Sequence, residues 1–416
     1  MPVFLIGVLF SVFIQAQPVF PGATGFGVDS PAGRGGQIIR VTNLDAEGPG
    51  SLRAALRAKG PRIVVFEVGG VIDLNRKGIR ISEPFLTIAG QTAPSPGITL
   101  IRAGLAIDTH DILIQHIRVR PGDSGQPKKS GWEPDGIATS GGEVFNVTID
   151  HCSISWAVDE NLSASGPRTE GPAATSHKVT FSNCIIAEGL DDSSHAKGPH
   201  SKGSLIHDFC RDIAIIGNLY AHNGQRNPYF KAHTTGAIVN NVIYNPGRAA
   251  IQMGFVPSEW KDIARSPENG RVSIVGNVMI HGVDTRKGLP MVAHLGDAYL
   301  EDNLALDREG APVAIAASGI RVLSEKPVWP AGFVALPSSE VVDSVVANAG
   351  ARPRDRDATD ERIIRDFLQG KGRLIDSQAD VGGYPTPDKT ERALQIPEDV
   401  DAWLGELAHE LETDAR

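Results

Sequence analysis

Ile213-Ala214-Ile215-Ile216-Gly217-Asn218-Leu219, then Ala237-Ile238-Val239-Asn240-Asn241-Val242, then Val272-Ser273-Ile274-Val275-Gly276-Asn277-Val278, are the segments from which the fold is read. Each is a short β-branched run, a polar bend and a second apolar start. Working outward, the same unit recurs upstream as Ile112–His116, Val147–His151 and Val179–Asn183, and downstream as Tyr299–Asn303. Positions 116, 151, 183, 218, 241, 277 and 303 are each His or Asn, at intervals of 23 to 36 residues. Such a period marks a solenoid. Asn tolerates the left-handed backbone region that a sharp bend needs, and stacked amides can bond to one another along the coil. One repeat buries too little apolar surface alone, so its neighbours must supply the core. The expected fold is all-β, a right-handed parallel β-helix. Leucine-rich repeats lack this pattern, and a propeller needs four antiparallel strands per unit.

Composition agrees. The 416 residues include 46 Gly and 28 Pro with only 6% aromatics, which favours many short strands and turns. The net charge of −9 supplies no global basic field, so nucleic acid is excluded as a partner and a polyanion must meet a local basic patch or a metal. Residues 2–14 are uncharged and apolar, too short for a comfortable bilayer span. They read as the core of a signal peptide over residues 1–16, with a buried first strand as the alternative. Secretion to the extracellular space or periplasm follows, with no membrane association after signal removal, and a monomer is expected. Cys152, Cys184 and Cys210 match neither a zinc spacing nor a disulfide framework. They read as small buried hydrophobes, with a stacked disulfide as the alternative.

The β-helix is expected over residues 17–335. Beyond it, 339–346, 360–368 and 397–412 have helical spacing, and residues 336–416 read as a C-terminal helical extension that packs along the coil or caps it. Early glycines precede a short helix capped by Ser51, but no Lys-Ser/Thr follows them, so a phosphate loop is excluded.

Chemistry is expected between Asn146 and Lys231, where apolar strands alternate with carboxylates and cations: a polar cleft on a stiff scaffold. No His pair has a metal-helix spacing and no carboxylate pair flanks one cleft, which argues against zinc and glycoside hydrolysis. The motif order resembles the pectate lyases of polysaccharide lyase family 1. Phe20-Pro21-Gly22-Ala23 with Gly25-Phe26-Gly27, and Gly48-Pro49-Gly50-Ser51-Leu52-Arg53, resemble that family's N-terminal region. Asp135-Gly136-Ile137 and Ile149-Asp150-His151-Cys152 resemble its central signature, and Arg226-Asn227-Pro228 with Lys231 its Arg-x-Pro-x-x-Arg element. The resemblance covers residues 18–310.

The resemblance implies β-elimination on an acidic polysaccharide, polygalacturonate or pectin, assisted by Ca²⁺. It implies Asp150 and Asp159 as Ca²⁺ ligands with Ser163 at a position where the family usually has a second acid, a gap that Glu160 or the 187–200 insertion would compensate. Arg226 would be the proton-abstracting base, and Lys202 and Lys231 would hold substrate carboxylates. Structural readings compete for each: Asp150 as a turn cap, Asp159-Glu160 as a solvated pair, Arg226 in a salt bridge, the lysines on the surface, and 187–200 as an ordinary loop. A lyase on another acidic glycan or methylated pectin, or a non-catalytic carbohydrate-binding β-helix, is the competing function.

Overall fold

The computed structural model describes residues 17–412; the expected signal peptide over residues 1–16 lies outside them. The chain winds through three sheets of 11, 8 and 10 strands, parallel throughout except for Thr390–Glu391, which joins the third sheet antiparallel to Val68–Asp73. One rung shows the pattern. Val147–Asp150 lies in the first sheet, Ser153–Ser155 in the third and Leu162–Ser165 in the second. His177–Ser182 then returns beside Val147–Asp150, pairing parallel with Val179 opposite Val147. The coil is the parallel β-helix that the repeat predicts. Its interior is a continuous column of buried side chains, among them Ile114, Ile149, Phe181, Ile215, Ile238 and Ile274. Each such side chain contributes roughly 1.5–3 kcal/mol when fully buried, a gain that exists only because the rungs stack.

Strand register divides the seven His/Asn positions into two columns. His116, His151 and Asn183 occupy the bend itself, with φ of 59°, 44° and 51°. From the next rung on, the bend belongs to Gly217, Asn240, Gly276 and Asp302, with φ of 68°, 54°, 65° and 46°. Asn218, Asn241, Asn277 and Asn303 stand one residue later, in the column of Cys152 and Cys184. The expected single column is therefore corrected by one residue, because Gly217 supplies the left-handed bend that His or Asn supplies earlier. The later column is an amide ladder. Asn218 donates from both Nδ2 and its backbone N–H to Asn241 Oδ1, at 2.9 Å each. Asn241 and Asn277 repeat the pattern upward. At the lower end Cys184 N–H donates to Asn218 Oδ1 at 2.8 Å. All three cysteines are free and buried.

Four α-helices among the described residues dress the coil. Helix α1 (Leu52–Leu56), capped by Ser51, sets Leu52, Ala55 and Leu56 into the core at the N-terminal end. Helices α2 (Ser338–Asn348) and α3 (Ala358–Leu368) lay Val341, Val345, Ile363 and Phe367 on Ile185, Leu219, Val242 and Tyr244 of the third sheet. Helix α4 (Val400–Leu411) packs Trp403 and Leu404 near Ile63, Val65 and Ala89 of the first sheet. The second sheet carries none of these helices, and its outer face forms an open groove. No helix among the described residues is long and apolar enough to cross a membrane.

Candidate active site

The groove, about 760 Å³, runs over the second sheet. Its floor is a row of paired mid-strand residues: Arg80, Ala106, Ala138 and Ser163 stand side by side on successive rungs, and Leu205 and Tyr229 continue the floor. The small residues leave room for a chain lying across the strands. One lip is the turn that enters the second sheet. Asn161 fixes it, accepting from Ala157 N–H at 3.0 Å and donating to Ala187 O, Lys202 O and Asn223 Oδ1. That turn therefore presents Asp159 and Glu160 at a defined height, while Glu160, Lys202 and Gln225 stack on successive rungs.

Three carboxylates converge there. Asp135, one rung earlier, accepts the Glu160 N–H at 3.0 Å, and one oxygen from each of Asp135, Asp159 and Glu160 lies within 4.8 Å of the others. Burial and then the charge of Asp159 push the Asp135 carboxyl up to about 8, against the opposing pull of Arg226. Burial also opposes ionisation of Asp159, but the hydrogen bond and charge of His200, with help from His195 and Arg226, outweigh it and hold that carboxyl low. His200 Nε2 is 2.8 Å from Asp159 Oδ1. Both histidines come from the 187–200 insertion, and their rings stack at 3.6 Å.

Arg226 stands two rungs beyond Glu160 and forms an ion pair with it. Its backbone is in the left-handed region at φ 63°, and its N–H donates to Gln252 Oε1 at 2.7 Å. A non-glycine residue in that region is held there by its surroundings. Burial lowers the pKa of Arg226, while Asp159, Tyr229 and Glu259 pull it back up. The guanidinium lies 5.9 Å from the Tyr229 ring centroid.

The structure brings Asp159, Ser163, Arg226 and Lys231 to this groove. Lys231 is already neutralised: its Nζ is 3.2 Å from Asp208 Oδ2 and also pairs with Glu259, which Arg168 shares at 2.7 Å. Lys202 is buried beneath the lip; desolvation, then the nearby Arg248, push its pKa down to about 8. Asp150 is not in the groove. It ends a strand of the first sheet, fully buried, and accepts from Gln115 Nε2, Ser182 Oγ and Asn183 Nδ2 at 2.7–3.0 Å. Its expected place beside Asp159 is corrected: its partners Gln115, Ser182, Asn183 and His151 all belong to the wall of the coil. Asp135 takes that place. The signal for it was one of spacing, since Ile137 pairs with Leu162 and so sets Asp135 one rung from Asp159 and Glu160.

No protein-family model matches the chain. Among curated proteins, the probable pectate lyase C of Neosartorya fischeri is 33% identical over 413 residues, covering 95% of this chain and 89% of its own. The probable pectate lyase C of Aspergillus flavus is 33% identical over 411 residues, with 94% and 89% covered. Solved structures share the fold. The major allergen from cedar pollen superposes with a TM-score of 0.59 at 18% identity, covering 79% of this chain and 92% of that one. A Bacillus subtilis pectate lyase gives 0.56 at 14%, covering 81% and 98%. A pectate lyase bound to a hexasaccharide gives 0.55 at 13%, covering 82% and 99%. With identity of this order running through nearly the whole sequence, the chain belongs to the pectate lyase family.

Proposed function

We propose that this polysaccharide lyase cleaves polygalacturonate by Ca²⁺-assisted β-elimination in the groove over the second sheet. The observation that carries the reading is the meeting of Asp135, Asp159 and Glu160 with Arg226 on one lip. The donor set fits Ca²⁺: it is made of carboxylate oxygens, and a hard cation that takes 6–8 oxygens tolerates their irregular spacing. Bound there, Ca²⁺ would stabilise the negative charge that develops on the substrate carboxylate as its C5 proton leaves.

The chain's own residues would do the rest. Asp135, Asp159 and Glu160 hold the cation, with Glu160 standing in for the acid absent at Ser163. Arg226 takes the C5 proton; the C5–H electrons form the C4=C5 double bond, the C4–O4 bond breaks, and O4 leaves with a proton from solvent. Burial is what makes a guanidine usable as a base, since the free group stays protonated far above neutral pH. His200 keeps Asp159 ionised and oriented, and Lys202 offsets charge beneath the lip. Secretion suits a substrate polymer too large to enter a cell, and the apolar run at residues 2–14 supports it.

The test is an ultraviolet assay for the 4,5-unsaturated product on polygalacturonate. Activity is expected to vanish with chelator and return with Ca²⁺, and Arg226→Ala should lower kcat by at least about a hundredfold with little change in thermal midpoint. Unsaturated product undiminished in Arg226→Ala would remove the guanidine from the reaction.

A further inference from the structure

Far from the groove, at the corner between the first and third sheets, His116 and His151 stand on adjacent rungs. Their rings are within 14° of parallel, with centroids 5.3 Å apart. The chain returns to this corner after α4. Glu412, the residue that ends that helix, sets Oε1 3.2 Å from His116 Nε2 and 3.4 Å from His151 Nδ1. One donor atom from each of the three lies within 4.8 Å of the others.

With both imidazoles neutral, the proton inventory of this corner does not close. His116 Nδ1 is 2.8 Å from the Ala351 carbonyl oxygen, which can only accept, so Nδ1 carries the hydrogen. In the neutral ring, Nε2 then turns a lone pair toward a carboxylate oxygen. That nitrogen is fully buried and makes no hydrogen bond. Behind His151, Asp150 Oδ2 lies 2.8 Å from Nδ1, so that nitrogen carries a hydrogen toward Asp150 unless a metal ion takes its place. Two carboxylates, Asp150 and Glu412, thus meet two imidazoles in a space closed to solvent on the His side. Buried charge at that density needs compensation, which two protons or one divalent cation would supply.

We propose that His116, His151 and Glu412 form a binding site for one divalent transition-metal ion of the zinc, cobalt or nickel type. The spacings of Glu412 Oε1 from the two imidazole nitrogens, 3.2 and 3.4 Å, match the edge of about 3.3 Å that bonds of about 2.0 Å give in a tetrahedron. Imidazole nitrogen selects such ions over Ca²⁺, which prefers oxygen. Ala351 O supports the His116 ring as an outer acceptor supports a metal-bound imidazole. Asp150 stands beside His151 as the further oxygen donor. Gln115 and Glu412 also line a cavity of about 480 Å³ under α4. A metal here would pin the C-terminal end of the chain to the middle of the coil, independently of the groove.

The test uses the full chain stripped with chelator and titrated with Zn²⁺, Co²⁺ or Ca²⁺. Asp159→Asn serves as background, because Asp159 with His195 and His200 is a second place where such ions could collect. In that background one equivalent of Zn²⁺ should bind and raise the thermal midpoint, and Co²⁺ should show the intense visible bands of a tetrahedral site. Ca²⁺ should do neither, and adding Glu412→Gln should weaken Zn²⁺ binding at least tenfold and erase the thermal gain. A Zn²⁺ response unchanged by Glu412→Gln, or a Co²⁺ spectrum like that of the aqueous ion, overturns the proposal and leaves the corner balanced by protons. The Co²⁺ spectrum of the Asp159→Asn protein decides the matter even if Glu412→Gln fails to fold.

Discussion

Asp150 and Asp159 have the same side chain and opposite surroundings, so the same substitution should have opposite consequences. Asp150 is fully buried and accepts three hydrogen bonds besides its contact with His151. In Asp150→Asn an amide N–H₂ must face one of those donors, and the carboxylate that held His151 is gone. The expected loss is roughly 2–4 kcal/mol of stability, read from the denaturant midpoint, with kcat/KM close to wild type. Asp159 faces the groove, so Asp159→Asn should leave stability within about 1 kcal/mol. It should lower kcat/KM by about a hundredfold or more, the cost of losing charge stabilisation at the reacting centre, and raise the Ca²⁺ concentration needed for activity. If the first variant lost activity at full stability and the second lost stability alone, the two roles assigned here would be exchanged. The sequence could not separate these residues, because an Asp that ends a strand and an Asp in the turn before one are written the same way. What does separate them is place: Asp150 closes a strand of the first sheet, while Asp159 sits in the turn that opens onto the second.

Helix α3 is held to the coil by charge as well as by Ile363 and Phe367. Arg120 pairs with Asp357 at 2.5 Å and with Asp360 at 2.7 Å, and Arg118 reaches Asp360 at 3.2 Å. Asp357 also caps the helix, accepting from Asp360 N–H. Burial opposes ionisation of Asp357, but the charge and hydrogen bond of Arg120, then the charge of Arg118, hold its carboxyl far below the usual range. Because the folded pKa lies below the unfolded value of about 3.9, the resulting stability is fully present above that pH. It is lost as pH falls below it toward the folded pKa. The thermal midpoint of the wild type should therefore drop steeply below about pH 4, and less steeply in Asp357→Asn. At neutral pH that variant should already be destabilised by about 3 kcal/mol, since Arg120 stays buried short of a partner. Equal slopes for the two proteins would place the acid sensitivity elsewhere. The helical period of 360–368 was legible from its apolar spacing. The staple was not, because Arg118 and Arg120 lie more than two hundred residues away in sequence.

The whole molecule is a three-faced coil with two faces dressed and one left bare. The repeat was legible because stacking forces a bend residue and an inward residue onto every rung. Two details escaped: the one-residue shift at Gly217, and the identity of the bare face. The second depends on where the last eighty residues come to rest, which no local pattern states. Their placement makes a final prediction. A chain ending at residue 335 would uncover Ile185, Leu219, Val242 and Tyr244 on the third sheet together, a contiguous apolar patch of the kind that drives aggregation. It would also strip Arg118 and Arg120 of Asp357 and Asp360, and Glu188 of Arg362, which holds it at 2.6 and 2.8 Å. Uncovering lets water reach those charges, so the main cost is the exposed apolar face together with the lost ion pairs that oriented it. The truncated protein should be insoluble, or should bind a hydrophobic dye and lack a cooperative thermal transition. A soluble, cooperatively melting and active 335-residue protein would show instead that the coil stands alone and that the helices are an accessory.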